Sequence, residues 1–385
     1  MEGSKITLVN VLAVILSFFA VVMCCSSSTH EVSVACMMAY DKGGAPSVFS
    51  SQECPQWEWT HPIQVPQYHP TANCEFASAT FQGRRHYQED RISCNPAMKI
   101  PLLGNEGQEI TIGVAAVFDG HLGAEASELA SKKFLDYFYL NVLFNTYKQA
   151  LPHKKHNDEA NHHVTTVEST PLYDILKEAL TRTFGDIDSE FTQEALKNNY
   201  AAGSTGTVAV LVNNRILVGF VGDSKALLCS DTGRASEGVK VRAPNVEELT
   251  RDHHPDREDE RARMEAWGMP HVSAQLAVSR AIGNLNSRRY GVIPEAEVIG
   301  WRTQTSNNSF LVLGSDGIFE GLTPANVCAI LHNNGCKSGT AASSSSSSCL
   351  AMSALANRIV NSAFENGSND NLSIVVIPLN PTYSF

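Results

Sequence analysis

The sequence predicts an α+β fold, and three observations carry that reading. Short apolar runs bounded by turn residues recur along the chain and read as buried strands, as in Val114–Phe118 and Leu372–Pro378. Longer stretches with apolar residues at helical spacing lie between them. Two of the strands, in "TGTVAVLVNNRILVGFVGDS", are joined only by Asn213-Asn214. Asn tolerates positive φ, so a tight antiparallel hairpin is expected there. Helices mixed with hairpin strands favour α+β layers over a doubly wound parallel sheet.

The elements follow in order. "FASATF", Phe76 to Phe81, is strand-like and precedes the polar "QGRRHYQEDR". The Val114 strand comes next. From Ala124 to Leu140 the residues Ala126, Leu129, Ala130, Phe134 and Phe138 mark a helix. "QALPHKKHNDEANHHVTT" reads as a polar insertion whose four histidines are solvated, and Leu172 to Leu196 as a second helix. The Asn213-Asn214 hairpin follows, then a helix in "DREDERARMEAWGM" with Gly268 as its C-cap. "FLVLGSDG" is a buried strand ending in Asp316. "TPANVCAILHNN" places Thr323 at the N-cap and Pro324 at N1 of a helix. "SGTAASSSSSSC" is low-complexity loop, Leu350 to Phe364 a helix, and "LSIVVIP" the last strand.

Bulk properties narrow the function. The 385 residues are 43% hydrophobic and 18% charged, which supports a sizeable core. A formal net charge of −11 argues against nucleic-acid binding. It does not exclude a phosphorylated substrate, because a bound cation inverts the local field. At the N-terminus a run from Ile6 to about Cys25 follows Lys5 and leads into a Ser stretch. This plan fits a cleaved signal peptide. Its length also fits a signal anchor that would tether the protein to a membrane through residues 6–25, although Thr7, Asn10 and Ser17 weaken the spanning reading. Cys24 and Cys25 are acylation candidates if this end stays cytosolic. The expected location is the secretory pathway (secreted, lumenal or anchored), or the cytoplasm or nucleus if the segment is not a working signal. Residues 26–75 read as a poorly ordered leader, and residues 76–385 as the main domain with insertions near 145–170 and 335–349.

Ten cysteines occur without a CxxC pair. Cys36, Cys54, Cys74 and Cys94 either form two disulfides, with three connectivities open, or stay buried thiols. Three sequons begin at Asn307, Asn366 and Asn371.

The chemistry lies in acidic residues placed at strand ends. Glu89 and Asp90 follow the first strand, Asp119 ends the second, Asp223 follows "VGFVG", Asp316 ends "FLVLGS", and Asp370 precedes "NLSIVVI". Gathered together, such carboxylates repel and raise one another's pKa values, a penalty that a divalent cation removes. An all-oxygen donor set selects hard ions such as Mg²⁺ or Mn²⁺. Cys ligands and a helical His pair are lacking, which disfavours a zinc-protease site. A single Asp-Gly is an ordinary turn former, so the weight rests on the set.

These motifs resemble the metal-dependent protein phosphatases of the PP2C (PPM) class. "RRHYQEDR" resembles the family's Arg…Glu-Asp motif and "VFDGHLG" its Phe-Asp-Gly-His-Gly-Gly. "GSTGTVAVLV", "VGDSKA", "LTRDHHPDREDERARMEAWG", "LAVSRAIGN", "VLGSDGIFEGL" and "SNDNLSIVVI" continue the series in the family's order, over residues 76 to 379. The resemblance implies a central antiparallel β-sandwich flanked by helices, four layers α-β-β-α, with a two-metal site at one end. It implies Glu89, Asp119, Asp316 and Asp370 as ligands of two Mn²⁺ or Mg²⁺ ions, with Asp119 bridging and Gly120 offering its carbonyl. Arg85 would grip the phosphate, and His121, with a near-neutral pKa, would act as general acid. Asp252 and Glu320 would hold a third ion. A metal-activated water would attack phosphorus in line, with no phosphoenzyme. Phosphorylated proteins are the implied substrates, and a monomer is expected.

Three positions depart from the family pattern. Leu122 stands where Gly is usual, so its Cβ is expected to shift the loop or narrow access. Glu320 replaces an Asp at the third-metal position, and Asn284 replaces an Asp after "SRAIG". The four main ligands are intact, which favours an active serine/threonine phosphatase over an inactive binding module of the same fold. "DHH" at Asp252–His254 is too weak a signal for a different phosphoesterase.

Overall fold

Strands that are apolar on both faces need cover on both faces, and this requirement sets the layers. The computed structural model describes residues 33–54, 76–102, 108–150, 172–230, 245–267, 277–305, 307–334 and 352–379. The strands are β1 (Ala77–Phe81), β2 (Arg91–Pro101), β3 (Glu109–Phe118), β4 (Gly120–His121), β5 (Gly203–Ser204), β6 (Gly206–Val212), β7 (Arg215–Val221), β8 (Lys225–Ser230), β9 (Asn245–Glu248), β10 (Ile282–Gly283), β11 (Glu297–Val298), β12 (Arg302–Thr303), β13 (Asn308–Gly314) and β14 (Leu372–Pro378). The helices are α1 (Val34–Ser50), α2 (Glu125–Ala150), α3 (Leu172–Asn198), α4 (Glu258–Ala266), α5 (Leu285–Arg288), α6 (Asp316–Gly321), α7 (Pro324–Asn334) and α8 (Met352–Glu365).

One antiparallel sheet runs β1-β14-β13-β8-β9, and a second runs β11-β7-β6-β3-β2 with β12 also on β7. Alternate residues divide between two cores, as strand geometry demands. In β3, Ala115 and Val117 face the sandwich interior with Leu211, Leu313 and Val375. Val114, Ala116 and Phe118 pack instead with Phe134, Phe138 and Phe184 of α2 and α3. In β14, Val375 and Ile377 turn inward, while Leu372, Ile374 and Val376 pack with Leu355 and Ile359 of α8. The result is the expected α-β-β-α order. The Asn213-Asn214 turn has both residues at positive φ (44° and 62°), as the hairpin reading requires.

Antiparallel register brings the motifs to one end. Arg91 pairs with Phe118, Val117 with Thr207, and Gly206 with Val221. On the other sheet Gly314 pairs with both Lys225 and Ile374, and Phe81 with Leu372. The loops carrying residues 82–90, 119, 222–224, 315 and 370–371 therefore share one edge of the sandwich.

Several expectations change. The leader reading of residues 26–75 fails for residues 33–54, which pack onto the domain. Tyr40 of α1 is fully buried, stacks on Phe144 with ring centroids 4.3 Å apart, and donates its hydroxyl to Asn141 Oδ1 at 2.9 Å. Asp186 Oδ2 accepts from the Ala45 amide at 3.1 Å, and Cys36–Cys54 closes the segment. Its glycines and Pro46 suggested a linker, but Cys36, Tyr40 and Val48 supply one apolar face. The insertion expected from 145 starts later, since α2 runs to Ala150 with Asn145 and Thr146 buried. Strand β2 escaped notice because "RISCNP" is largely polar and carries a register shift between Asn95 and Met98. Cys229–Cys328 joins β8 to α7, and Cys94 is also disulfide-bonded. Residues 1–25 and Gly268 lie outside the described residues. Among the described residues, no helix is long and apolar enough to cross a membrane.

Candidate active site

The site is built from loops that only close backbone approach can join. A Cβ at Gly120 would lie 2.5 Å from the Glu89 carbonyl oxygen, and one at Gly317 would lie 2.0 Å from that of Asn371. Side chains there would hold the loops apart. Asn371 pins the ends of the chain together. Its Nδ2 donates to Gln82 O (2.8 Å) and Tyr87 O (2.9 Å), and its Oδ1 accepts from Glu89 N (2.8 Å). Asn371 is 4% exposed, so the sequon at this position is closed to a glycan in the folded protein.

Carboxylates gather inside this frame. The Asp119 and Asp316 carboxyls act directly on one another's proton affinity. Burial first, then the charges of Asp90 and Asp316, push the Asp119 carboxyl well above the usual range. Burial also raises Asp316, with Asp370 and Glu320 adding repulsion. Asp90 is 2% exposed and accepts from Ser315 Oγ at 2.8 Å, and burial moves it up to about 7. Asp223 is raised to about 7 by burial, then by Asp316 and Asp252. Asp90 and Asp223 were visible as strand-end acids without assigned roles. Asp223 carries a signal, a charged residue between the buried Gly222 and Ser224, whereas Asp90 stands between the half-buried Glu89 and Arg91 and carries none.

Other expected residues sit around this centre. Glu89 Oε1 accepts from Gly123 N at 2.8 Å, which ties the first motif to the Asp119 loop. Arg85 Nη2 is 2.5 Å from Asp370 Oδ2, so the residue expected to grip phosphate is paired with an expected ligand. Asp252 accepts from Lys225 Nζ with both oxygens at 2.6 Å. Glu320 Oε2 accepts from Ser368 Oγ (3.2 Å) and Asn369 N (3.0 Å). Both expected third-metal residues are thus engaged by protein groups.

The donor set fits hard divalent cations. It is all oxygen, it is mutually repulsive, and Oδ1 of Asp90 and Oδ1 of Asp316 are buried with no hydrogen-bond partner. Among the described residues, no three His, Cys, Asp or Glu side chains stand in a preformed coordination cage. The carboxylates pair with each other and with Arg85 and Lys225 instead.

The expectation of a near-neutral His121 is corrected. Burial without a counter-charge lowers its pKa to about 4. Its Nε2 lies 3.1 Å from Asn284 Nδ2, at the position where an Asp was expected. Leu122 takes up the backbone conformation of the residue it replaces in the family pattern at the cost of a left-handed φ. Its φ of 59° keeps the left-handed conformation that Gly favours.

With this geometry in view, the likeness to known proteins falls into place. Residues 74–372 match the family model for Protein phosphatase 2C. The chain belongs to the protein phosphatase 2C family. It is 38% identical to "Probable protein phosphatase 2C 51" of Arabidopsis thaliana, covering 94% of this chain and 80% of that one. It is 35% identical to "Putative protein phosphatase 2C 76" of Oryza sativa subsp. japonica, covering 91% and 86%. A serine-threonine phosphatase 2C from Toxoplasma gondii shares the fold with a TM-score of 0.55 at 21% identity, covering 80% of this chain and 96% of that one. The Arabidopsis and rice relatives mark the chain as a serine/threonine phosphatase, and the Toxoplasma structure shares its fold of mixed helices and antiparallel sheets.

Proposed function

We propose that this phosphatase is catalytically active and hydrolyses phosphoserine and phosphothreonine in proteins with two Mn²⁺ or Mg²⁺ ions. The observation that carries the reading is the half-buried carboxylate cluster around Asp119 and Asp316, with unpartnered oxygens on Asp316 and on the buried Asp90 beside it. Glu89, Asp119, Asp316 and Asp370 would hold the ions, with the carbonyl of Gly120. Two such ions, when bound, neutralise the phosphate dianion and activate a water. Arg85 orients the phosphate by exchanging its Asp370 partner for phosphate oxygens, a geometry that suits a guanidinium. His121 would supply the proton to the leaving oxygen once the bound phosphate, by its negative charge, raises the ring from its pKa of about 4. A third ion at Asp252 and Glu320 would have to displace Lys225 and the 368–369 loop, so the reading rests on two.

The test uses the full-length chain, because α1 is part of the core. Phosphate release from a phosphothreonine peptide should require Mn²⁺ or Mg²⁺, vanish with EDTA, and fall at least a hundredfold in Asp119→Ala and Asp316→Ala. Full activity in chelator would sink the metal mechanism. No turnover in folded, metal-supplied protein would leave an inactive binding module.

We also propose that the enzyme works in the secretory pathway. Cys36–Cys54, Cys229–Cys328 and the bonded Cys94 support this, since such bonds persist in oxidising compartments. Protease protection of the enzyme in isolated microsomes would bear on it. Full digestion without detergent would refute it.

A further inference from the structure

We infer that Leu122, with Tyr87, forms an apolar lip beside the reaction centre that selects substrates with an apolar residue next to the phosphorylated Ser or Thr. The inference rests on the phosphatase reading and names a substrate class for it.

Leu122 is unfavourable twice over as a structural residue. It holds φ at 59°, where a side chain clashes with its own backbone and glycine does not. It is also 70% exposed, so burial returns almost nothing for that strain. Strain of this kind persists where the surroundings enforce it, and it clusters at working sites. Here the enforcement is visible. The neighbouring Gly123 amide donates to Glu89 Oε1 at 2.8 Å, and Ser127 Oγ donates to the Glu89 carbonyl at 2.5 Å. Leu122 directly follows His121 in the chain, so an exposed apolar side chain comes next to the proposed proton donor.

Tyr87 is the second half of the lip. It lies midway between Arg85 and Glu89 in sequence, and its carbonyl is fixed by Asn371 Nδ2 at 2.9 Å. Its side chain is 77% exposed. Two large exposed side chains therefore stand on the two loops that Glu89 joins through its hydrogen bonds with Gly123 and Ser127. A phosphoresidue seated at Arg85 carries its chain neighbours past these loops. An apolar neighbour would shed water against Leu122 and the Tyr87 ring, whereas a polar one would lose its hydration without return.

The experiment compares two phosphothreonine peptides on the full chain with Mn²⁺, one with Leu on both sides of the phosphothreonine and one with Ser. The parent protein should favour the Leu peptide in kcat/KM by about tenfold, mostly through KM. Leu122→Gly should bring the ratio close to one, Leu122→Met should restore it, and Tyr87→Ser should lower it in part. The melting temperature of Leu122→Gly should equal or exceed that of the parent, since strain is relieved. A ratio near one in the parent, or an unchanged ratio in both Leu122→Gly and Tyr87→Ser, would overturn the lip while leaving the phosphatase reading intact. No metal-dependent release from either peptide would overturn both.

Discussion

Replacing Asp90 by Asn should stabilise the chelated protein more at pH 8 than at pH 6. Asp90 is 2% exposed, and its carboxyl is raised to about 7 by burial, against an ordinary 3.8. A raised carboxyl means that the folded protein keeps a proton that the unfolded chain has released. Its penalty on stability begins above 3.8 and is complete above about 7. Between pH 6 and pH 8 this one group removes about 1.4 kcal/mol, and over its whole range on the order of 4 kcal/mol. Two buried histidines act in the opposite direction. His121 and His253 are held down near 4 and 3, so they cost stability as pH falls through 6.5. The comparison with Asp90→Asn cancels them, because both proteins carry both histidines. Asn keeps the acceptor for Ser315 Oγ and places an amide where Oδ1 has no partner. Urea unfolding in EDTA at pH 6, 7 and 8 should show the variant gaining about 1.4 kcal/mol on the parent across that span. Saturating Mn²⁺ should flatten the difference, since nearby positive charge keeps the carboxylate ionised. A difference in EDTA that does not change with pH would show that Asp90 titrates in the ordinary range, and the argument for a repulsive cluster would fail.

Three further outcomes follow from the same contacts. Asn284→Asp should raise the His121 pKa from about 4 toward or beyond 6.5, because a carboxylate 3.1 Å from Nε2 favours imidazolium. A donor works protonated, so the loss of activity with rising pH on an alkyl phosphate should move to higher pH, and an unmoved NMR titration of the ring would refute this. Asn371→Ala should cost about 2–4 kcal/mol in urea unfolding, since it leaves Gln82 O, Tyr87 O and Glu89 N without their partner, and a loss under 1 kcal/mol would contradict the pinning role. Tyr40→Ala should cost about 3–5 kcal/mol, and a loss under 1 kcal/mol would mean that α1 is not integral.

Most of the scaffold was legible because burial on two faces makes strands conspicuous. β3, β6, β7, β13 and β14 each carry an apolar run that no loop would hold in water. The helix at Pro324 was legible from its cap, and Asn326 N indeed donates to Thr323 Oγ1 at 3.2 Å. β2 and α1 were not legible, since what fixes them is tertiary. β2 is held by its pairing with β3, and α1 by a polar network of Tyr40, Asn141 and Asp186 that comes from segments about a hundred residues away or more. Within the site, carboxylates at strand ends were readable one by one. That Asp119 and Asp316 would act on one another's proton affinity, or that Lys225 would occupy Asp252, depends on distances that sequence spacing does not contain. The His121 expectation failed for a related reason. Its pKa is set by what faces it, and sequence alone does not place Asn284 against the ring.

The departures from the family pattern are not scattered, and their positions say what they alter. Leu122 adjoins His121 in the chain, and Asn284 adjoins it in space at 3.1 Å. Both have left-handed backbones, with φ of 59° and 52°. Among the described residues, the Asn284 side chain bonds to His121 and Ser287 rather than to the carboxylates that would hold the cations. Those come from loops between Glu89 and Asp370, so a cation bound there also cross-links the first and last motifs of the fold, and the site cannot drift without loosening the sandwich edge. Change is easier around His121, where one side chain is exposed to solvent and one amide faces an imidazole. The dependence of this enzyme on cation should therefore follow its family, while its dependence on leaving group and on the residue flanking the phosphate should be its own.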